Sequence, residues 1–238
     1  MKILIVMKNK ILLMMTLMVA GLSASAQTAE KKAKITNASE AVYNVNTTNN
    51  HKEGVYAIQN LNNNGLWLQG VYKDDQRAGN WNFFNKDFKL FMRYNYDQKK
   101  LAFLDEHALD NVIVTILSDD DKVRKDASVP LPLCSIDYYL QLMANNIYAV
   151  RDAKYKDMDA EVTARIGTDG KATYTVIYSV NGKKADKQKV TLPDDKFAVE
   201  WIPSMYNDKP VESEFTAYLK IQGDEPAADH MRRTSWNY

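Results

Sequence analysis

The chain has 238 residues with 31 basic and 30 acidic side chains, a net charge of +1, and 45% of its residues are hydrophobic. The length suits one large or two small domains, and the balanced charge excludes the basic surplus with which proteins hold nucleic-acid phosphates. The single cysteine, Cys134, excludes an internal disulfide, and its apolar neighbours favour a small buried side chain over a nucleophile.

The first 26 residues have the three parts of a secretory signal peptide. Positive charge at 7–10 precedes the apolar run "ILLMMTLMVAGL" at 11–22, and Ala24 and Ala26 stand at the small-residue positions of a cleavage site. The run is short for a membrane span, which needs about 20 residues, so we expect cleavage after Ala26 rather than an uncleaved anchor. The exported chain, periplasmic or extracellular, would have 28 basic and 30 acidic residues, a net charge of −2.

The next part of the chain changes from an irregular composition to a regular alternation. Residues 27–50 are rich in Lys, Ala, Thr and Asn without a steady period, which predicts a flexible lead-in. From 51 to 118, short apolar runs separated by Asn-, Asp- and Gly-rich turns predict an antiparallel meander. The predicted strands are 54–60, 66–73, 80–85, 89–96 and 101–105, with a sixth at 111–118.

The aromatic residues of this meander follow a rhythm in "NGLWLQGVYKDDQRAGNWNFF": Gly-x-Tyr-Lys, a polar turn, then Gly-x-Trp-x-aromatic-aromatic. The segment 54–104 resembles the MORN-like repeat of the YwqK-type antitoxin-component family. Because one such repeat cannot bury its own apolar face, we expect the short array to pack on another part of the chain. The matching residues are Gly70, Tyr72, Lys73, Arg77, Gly79, Trp81, Phe83 and Phe84.

Residues 119–132, "DDDKVRKDASVPLP", predict a linker between two domains because they combine consecutive Asp residues, mixed charge and prolines. A calcium site at 119–121 would need alternating oxygen ligands and a closing Glu, so we favour a solvated linker. Beyond it, helical spacing of apolar residues predicts a helix at 135–146. Strands are predicted at 159–167, 171–180, 188–192 and 214–222, and residues 223–238 are predicted to form a polar tail.

The order of helix, strand, Asp-Gly turn, strand, Trp-x-Pro, turn and final strand resembles the C-terminal domain of the TonB energy-transducer family over residues 128–222. The chain departs from that family at Ala149, where the family has Pro, and in having no long Pro/Lys-rich spacer. We therefore expect a TonB-like domain without the transducer's machinery. The matching residues are Asn146, Ile147, Tyr148, Ala153, Val162, Ile166, Asp169, Gly170, Val176, Trp201, Pro203, Lys209, Pro210, Val211 and Phe215.

Together these patterns predict an α+β protein: a MORN-like meander at 51–118, followed by a TonB-like domain at 133–222 of antiparallel strands with one or two helices. Trp201 is expected to plug the core, and Pro203 to end the preceding turn. The residues expected to have structural roles through the two family motifs are Trp201, Pro203, Pro210, Asp169, Gly170, Trp81, Gly79 and Tyr72.

The TonB resemblance implies an interaction protein that captures an envelope protein, for example a segment of an outer-membrane receptor, by strand addition in connection with transport. The predicted partner-binding residues lie on the final strand, which we expect at a sheet edge: Glu214, Phe215, Thr216, Ala217, Tyr218, Leu219 and Lys220. Alternatively, an aromatic platform on the meander would bind a glycan or a surface protein. That platform would comprise Trp67, Tyr72, Trp81, Phe83, Tyr94 and Tyr96, unless half of them are core residues.

We predict no enzymatic activity, cofactor or metal site. His51, His107 and His230 are far apart in the sequence and lack metal-ligand spacing. The chain also lacks the Gly-x-Ser-x-Gly elbow, the phosphate-binding loop and the Cys-x-x-Cys motif.

Overall fold

The computed structural model describes residues 28–110, 112–150, 158–180, 183–190, 197–221 and 234–235, so the predicted signal peptide at 1–26 lies outside the described residues. The described chain is mostly antiparallel β-sheet with two α-helices, which is compatible with the α+β class. The helices are α1 (Asp121–Asp126) and α2 (Ile136–Val150), and a 3-10 turn spans Glu106–Leu109. None of the described helices is long and apolar enough to cross a membrane.

Seventeen strands are present among the described residues. They are β1 (Thr28–Thr36), β2 (Ser39–Asn46), β3 (Lys52–Asn60), β4 (Leu66–Lys73), β5 (Gln76–Phe84), β6 (Leu90–Asn95), β7 (Lys100–Leu104), β8 (Ile113–Ile116), β9 (Leu131–Pro132), β10 (Met158–Ile166), β11 (Ala172–Val180), β12 (Lys183–Val190), β13 (Trp201–Ile202), β14 (Ser204–Tyr206), β15 (Lys209–Val211), β16 (Ser213–Ile221) and β17 (Thr234–Ser235).

The first sheet is a seven-stranded antiparallel meander in the order β1 to β7. The five strands predicted between 54 and 105 are confirmed as β3 to β7. The β4–β5 hairpin turns through Asp74 and Asp75, whose φ angles are 51° and 61°. Two successive positive φ angles are the geometry of a type I′ turn, whose twist matches that of the flanking strands.

The flexible lead-in predicted at 27–50 is wrong, because β1 and β2 are the first two strands of this sheet. β2 places Ala41 and Val45 in the core, 1% and 3% exposed. β1 is an edge strand that is exposed over most of its length and includes Lys31, Lys32 and Lys34. Such a strand shows no apolar alternation, and its lysines discourage pairing with another chain.

The second sheet has the order β12-β11-β10-β16. Both β8 and β17 pair with β16 on the side away from β10. The sixth predicted strand, 111–118, therefore exists as β8 but belongs to this sheet and not to the meander. Its partner β16 is about 100 positions later in the chain, a separation that local sequence patterns do not encode. β12 also begins earlier than the predicted 188–192, at Lys183.

Helix α2 lies between the two sheets. Tyr138 stacks on Trp67 of the first sheet at 5.4 Å between ring centroids, whereas Tyr139 meets Trp201 and Phe215 on the other side at 5.5 and 5.9 Å. Both tyrosines are 0% exposed. The apolar residues of α2 thus pack in two directions, and their burial joins the two sheets through one continuous core.

The segment predicted as a linker, 119–132, is structured and does not separate two independent domains. It contains α1, whose N-cap Asp120 accepts a hydrogen bond from the Lys122 backbone N–H at 2.8 Å. It then forms β9, which pairs with β13 so that Leu131 faces Ile202 and Pro132 faces Trp201. Leu131 is 5% exposed, so this segment contributes to the shared core.

Gly70 of β4 makes room for the Trp81 side chain of the neighbouring strand. A Cβ atom at Gly70 would lie 2.1 Å from the Trp81 ring, and Trp81 is itself 0% exposed. The Trp81 ring also packs against Tyr56 and Tyr72 at 5.7 and 5.3 Å between centroids. Close packing against Trp81 therefore requires glycine at position 70.

We expect Gly70→Ala to lower the free energy of unfolding by about 1–3 kcal/mol, because the added methyl group must displace the fully buried Trp81 indole. Urea unfolding followed by tryptophan fluorescence measures this change. The control is Gly79→Asn: Gly79 has φ +59° and no atom within 4 Å of an added Cβ. Asn tolerates that conformation, so the control should cost less than about 1 kcal/mol. Equal costs at the two positions would contradict the packing argument.

Candidate functional site

Strand β16 has neighbours on both sides, unlike the edge strand predicted from the sequence. Along one side it pairs with β10 from Ser213 to Ile221. On the other side β8 pairs with residues 213–216 and β17 pairs with 220–221. The edge prediction is therefore wrong for Glu214, Phe215, Thr216 and Lys220.

The remaining three predicted residues, Ala217, Tyr218 and Leu219, lie between the ends of β8 and β17. Among the residues that the structure describes, no strand pairs with them on the side away from β10. We call Ala217–Leu219 the edge window. The window was not visible in the sequence because β8 had been assigned to the meander and β17 to the polar tail.

The side chains of β16 alternate as predicted. Phe215, Ala217 and Leu219 face the core and are 0%, 1% and 2% exposed, whereas Tyr218 is 49% exposed on the opposite face. The Thr216 hydroxyl lies 3.0 Å from that of Thr163 on β10. The strand is thus anchored by its inner face, and its outer face is accessible.

A depression of about 330 Å³ lies on the outer face of the second sheet, beside the edge window. Its wall combines an aromatic ring, an aliphatic side chain, two acidic residues and one basic residue. This mixture suits an extended peptide with both polar and apolar side chains better than a purely apolar ligand. Residues at its wall include Asp159, Glu161, Ile177, Ser179, Tyr218 and Lys220.

Arg77 joins the first sheet to the segment that leads into β13. Its guanidinium forms an ion pair with Glu200 at 3.4 Å and donates a hydrogen bond to the Tyr96 hydroxyl at 2.5 Å. The guanidinium carbon lies 4.7 Å from the Trp81 ring and 5.4 Å from the Phe197 ring. Burial favours a lower pKa for Arg77, but Tyr96 and Glu200 outweigh it, so its pKa stays above the usual value.

The aromatic residues of the meander do not form an exposed platform. Trp67, Tyr72, Trp81 and Phe83 are between 0% and 9% exposed, and Tyr94 and Tyr96 pack partly against the same core. Helix α2 and the residues after 196 cover this face of the sheet, as the ring contacts of Tyr138 and Phe197 show. A glycan platform built on these rings is therefore wrong, because an internal helix already occupies their face.

Trp201 plugs the core as predicted. It is 6% exposed, its indole N–H donates to the Tyr174 hydroxyl at 2.9 Å, and its ring meets Phe215 at 5.3 Å. Burial raises the pKa of Tyr174 to about 12, although the hydrogen bond from Trp201 acts in the opposite direction.

The other motif residues lie at turns, and the structure brings some of them together. Gly170 has φ +76°, and an added Cβ there would lie 3.0 Å from the Trp201 carbonyl oxygen and 3.9 Å from the Pro203 ring. In the same turn Asp169 accepts a hydrogen bond from the Lys171 backbone N–H at 3.0 Å, and this bond lowers the pKa of Asp169. Pro210 lies apart from them, opposite Met205 in the β14–β15 hairpin.

The histidines and the cysteine that the structure describes, His51, His107 and Cys134, do not converge on one site. His51 is paired with Asp74 at the surface, and this hydrogen bond raises the pKa of His51. His107 is exposed, and His230 lies outside the described residues. Cys134 is fully buried, and burial raises the pKa of its thiol. The described residues contain no group of three or more His, Cys, Asp or Glu side chains that could hold a metal ion.

Comparison of the chain with models of known protein families, with curated proteins and with solved structures finds no match. The resemblances to MORN-like repeats and to the TonB C-terminal domain therefore stay predictions.

We expect Arg77→Ala to lower the free energy of unfolding by about 2–4 kcal/mol. The substitution removes a buried cation that packs on three aromatic rings and leaves Glu200 without its ion-pair partner. The matched control is Arg165→Ala, since Arg165 also pairs with a glutamate, Glu212, at 2.7 Å, but at the surface. An exposed pair contributes little to stability, because water screens it. Urea unfolding of both variants measures the difference, and equal costs would contradict a joining role for Arg77.

We also expect the fold to lose stability at alkaline pH. Burial raises the pKa of Tyr56, Tyr96, Tyr138, Tyr139 and Tyr174 above that of an unfolded tyrosine, about 10. The stability from keeping these groups neutral is complete below pH about 10 and is lost as the pH rises through the folded-state values. Circular dichroism and tyrosinate absorbance, followed together against pH, should change in one transition. Ionisation of all tyrosines with the fold intact would contradict this expectation.

Proposed function

We propose that this protein is an exported, non-enzymatic interaction protein that binds an extended segment of an envelope protein by strand addition along β16. The observation that carries the proposal is the edge window, Ala217–Leu219. Successive residues of an antiparallel strand direct their N–H and C=O groups to alternate sides. A window of three residues therefore includes at least one whose main-chain groups point away from β10 and can pair with a ligand.

The charge on two of the other sheet edges, those formed by β1 and β12, supports the choice of β16 over them. The edge strand β1 includes three lysines and the edge strand β12 includes Lys183, Lys184, Lys187 and Lys189. Lysines on an edge discourage the approach of another strand. The edge window has no charged residue, so it is the better acceptor for a partner strand.

The depression beside Tyr218 supplies a means of selecting the partner. In strand addition, main-chain hydrogen bonds provide affinity, whereas pockets for alternate side chains provide specificity. The side chains of a strand alternate between faces, so every second side chain of an added strand would lie on the outer face, where the depression with Lys220 and Asp159 is located. We infer a ligand that carries polar or charged groups at these alternate positions.

The two family resemblances support the finer parts of the proposal. The C-terminal part would be a TonB-like domain, and the meander a MORN-like array that packs on α2. A partner segment from an outer-membrane receptor follows from the TonB resemblance, and a role linked to TonB-dependent transport follows from that partner. The predicted signal peptide would bring the protein to the compartment where such segments are accessible.

Site-specific photocrosslinking tests the proposed function. The full chain would carry p-benzoylphenylalanine at position 218 and be irradiated with labelled synthetic N-terminal segments of outer-membrane receptors. The control places the same group at Lys171, an exposed residue in the β10–β11 hairpin. We expect adducts at position 218 and none at position 171, because only position 218 lies in the edge window. Equal adduct yields at both positions, or none at position 218, would contradict strand addition at this edge.

A further inference from the structure

The depression on the outer face of the second sheet extends over two neighbouring rows of side chains. In one row Tyr218 of β16 lies opposite Glu161 of β10, which in turn lies opposite Ile177 of β11. In the next row Lys220 of β16 lies opposite Asp159 of β10. All five residues belong to the wall of this cavity of about 330 Å³. Its binding chemistry therefore depends on an aromatic ring, an aliphatic side chain, two carboxylates and one ammonium group.

The wall of the depression favours a cation. Asp159 and Glu161 are two residues apart on β10, so both carboxylates are on the same face of the sheet. Lys220 lies opposite Asp159, but among the described residues no ion pair joins the two. Two negative side chains and one positive side chain give the wall a net charge of −1. The ring of Tyr218, 49% exposed, adds a face that attracts cations.

The ends of β8 and β17 limit how many side chains a partner strand can place on this face. Ile113 of β8 lies opposite Thr216, and Ser235 of β17 lies opposite Lys220. A partner that pairs with β16 between these two strands therefore lies along the edge window alone. Side chains alternate along a strand, and Tyr218 is the residue of the window on the outer face. The partner thus places one side chain on the outer face, opposite Tyr218.

That side chain must be long to reach the carboxylates of β10. Neighbouring strands are about 4.8 Å apart, so the main chain of the partner would lie about 10 Å from that of β10, with β16 between them. The aliphatic stem of an Arg or Lys side chain can lie along the Tyr218 ring while its charge extends toward Glu161. A short side chain would stop at the ring, and an acidic one would be repelled by Asp159 and Glu161.

We propose that the depression binds a basic side chain, Arg or Lys, at the position of the partner segment opposite Tyr218. The Tyr218 ring contacts the stem of this side chain, and Asp159 and Glu161 attract its charge. The source of the basic residue rests on the proposed function, whereas the preference for a cation stands on the wall of the depression.

Methylguanidinium, which has the charged group of arginine without a peptide, tests the cation site in the full chain. In NMR titrations it should shift the backbone amide signals of Asp159, Glu161 and Tyr218, whereas its neutral isostere methylurea should not. The double variant Asp159→Asn, Glu161→Gln should abolish the shift at Tyr218. The matched control is Glu214→Gln, which removes a carboxylate on the same face of β16, about 13 Å along the strand from Tyr218, and should leave the shift unchanged. Equal shifts with the two probes, or none at these signals, would overturn the proposal.

Two labelled peptides test the position of the basic residue in the partner: Ac-Thr-Val-Arg-Val-Thr-amide and its analogue with citrulline, the uncharged isostere of arginine. Fluorescence anisotropy with the full chain should show roughly two- to fivefold tighter binding of the arginine peptide, as expected for an exposed ion pair. The double variant should remove this difference. Lys220→Gln should enlarge it, because the substitution removes the positive charge that opposes the ligand.

The two tests separate the basic-residue preference from strand addition itself. Equal affinities of the two peptides would overturn the preference and leave strand addition standing. If methylguanidinium shifts the three signals but neither these peptides nor receptor segments bind, the cation site stands and the proposed function fails.

Discussion

Helix α2 packs one tyrosine on each sheet, Tyr138 on the first and Tyr139 on the second, and the packing of both sheets depends on them. Tyr138 stacks on Trp67 and its hydroxyl lies 3.4 Å from that of Ser39 in the first sheet, whereas Tyr139 packs edge-on against Phe215 in the second. Each sheet has one apolar face that must be covered. Because one helix covers both faces, loss of α2 would expose both sheets, and we expect the chain to unfold as one unit.

The same helix explains how the meander is stable. A meander with one apolar face needs a second layer, and aromatic side chains bury about 150–250 Å² each when they are enclosed. Arg77 then fixes the edge of this arrangement through Glu200, at 3.4 Å, and through the Trp81 and Phe197 rings. On the other side of α2, Phe215 anchors β16 against Tyr139 and Trp201. The edge window is therefore part of a rigid strand, which lowers the entropic cost of adding a partner.

Local patterns in the sequence predicted the elements whose apolar residues recur at a regular spacing. The period-two alternation of β16, with Phe215, Ala217 and Leu219 inside, is an example, and the helical spacing of α2 is another. β1 was missed because an edge strand exposed over most of its length has no alternation to detect. The sequence left open which aromatic residues of the meander are core; the burial of Trp67, for example, depends on contact with Tyr138 of a helix far away in the sequence.

The candidate site shows the same limit of local reasoning. The strand itself, the alternation of its side chains and the exposure of Tyr218 can be predicted from residues close in the sequence. The strands that pair with β16 cannot. β8 precedes β16 by about 100 positions and pairs with its first half, and β17 follows it and pairs with its last two residues. Pairing over such separations depends on the whole fold. The sequence therefore predicted a free edge, whereas among the described residues only Ala217–Leu219 of residues 213–221 have no strand beside them on the side away from β10.

Hydrogen exchange measured amide by amide, with and without a bound receptor segment, tests the central claim most directly. If β16 accepts the partner strand, the segment should slow exchange in the edge window, Ala217–Leu219. Slower exchange on the first sheet, with no change in β16, would contradict strand addition at this edge.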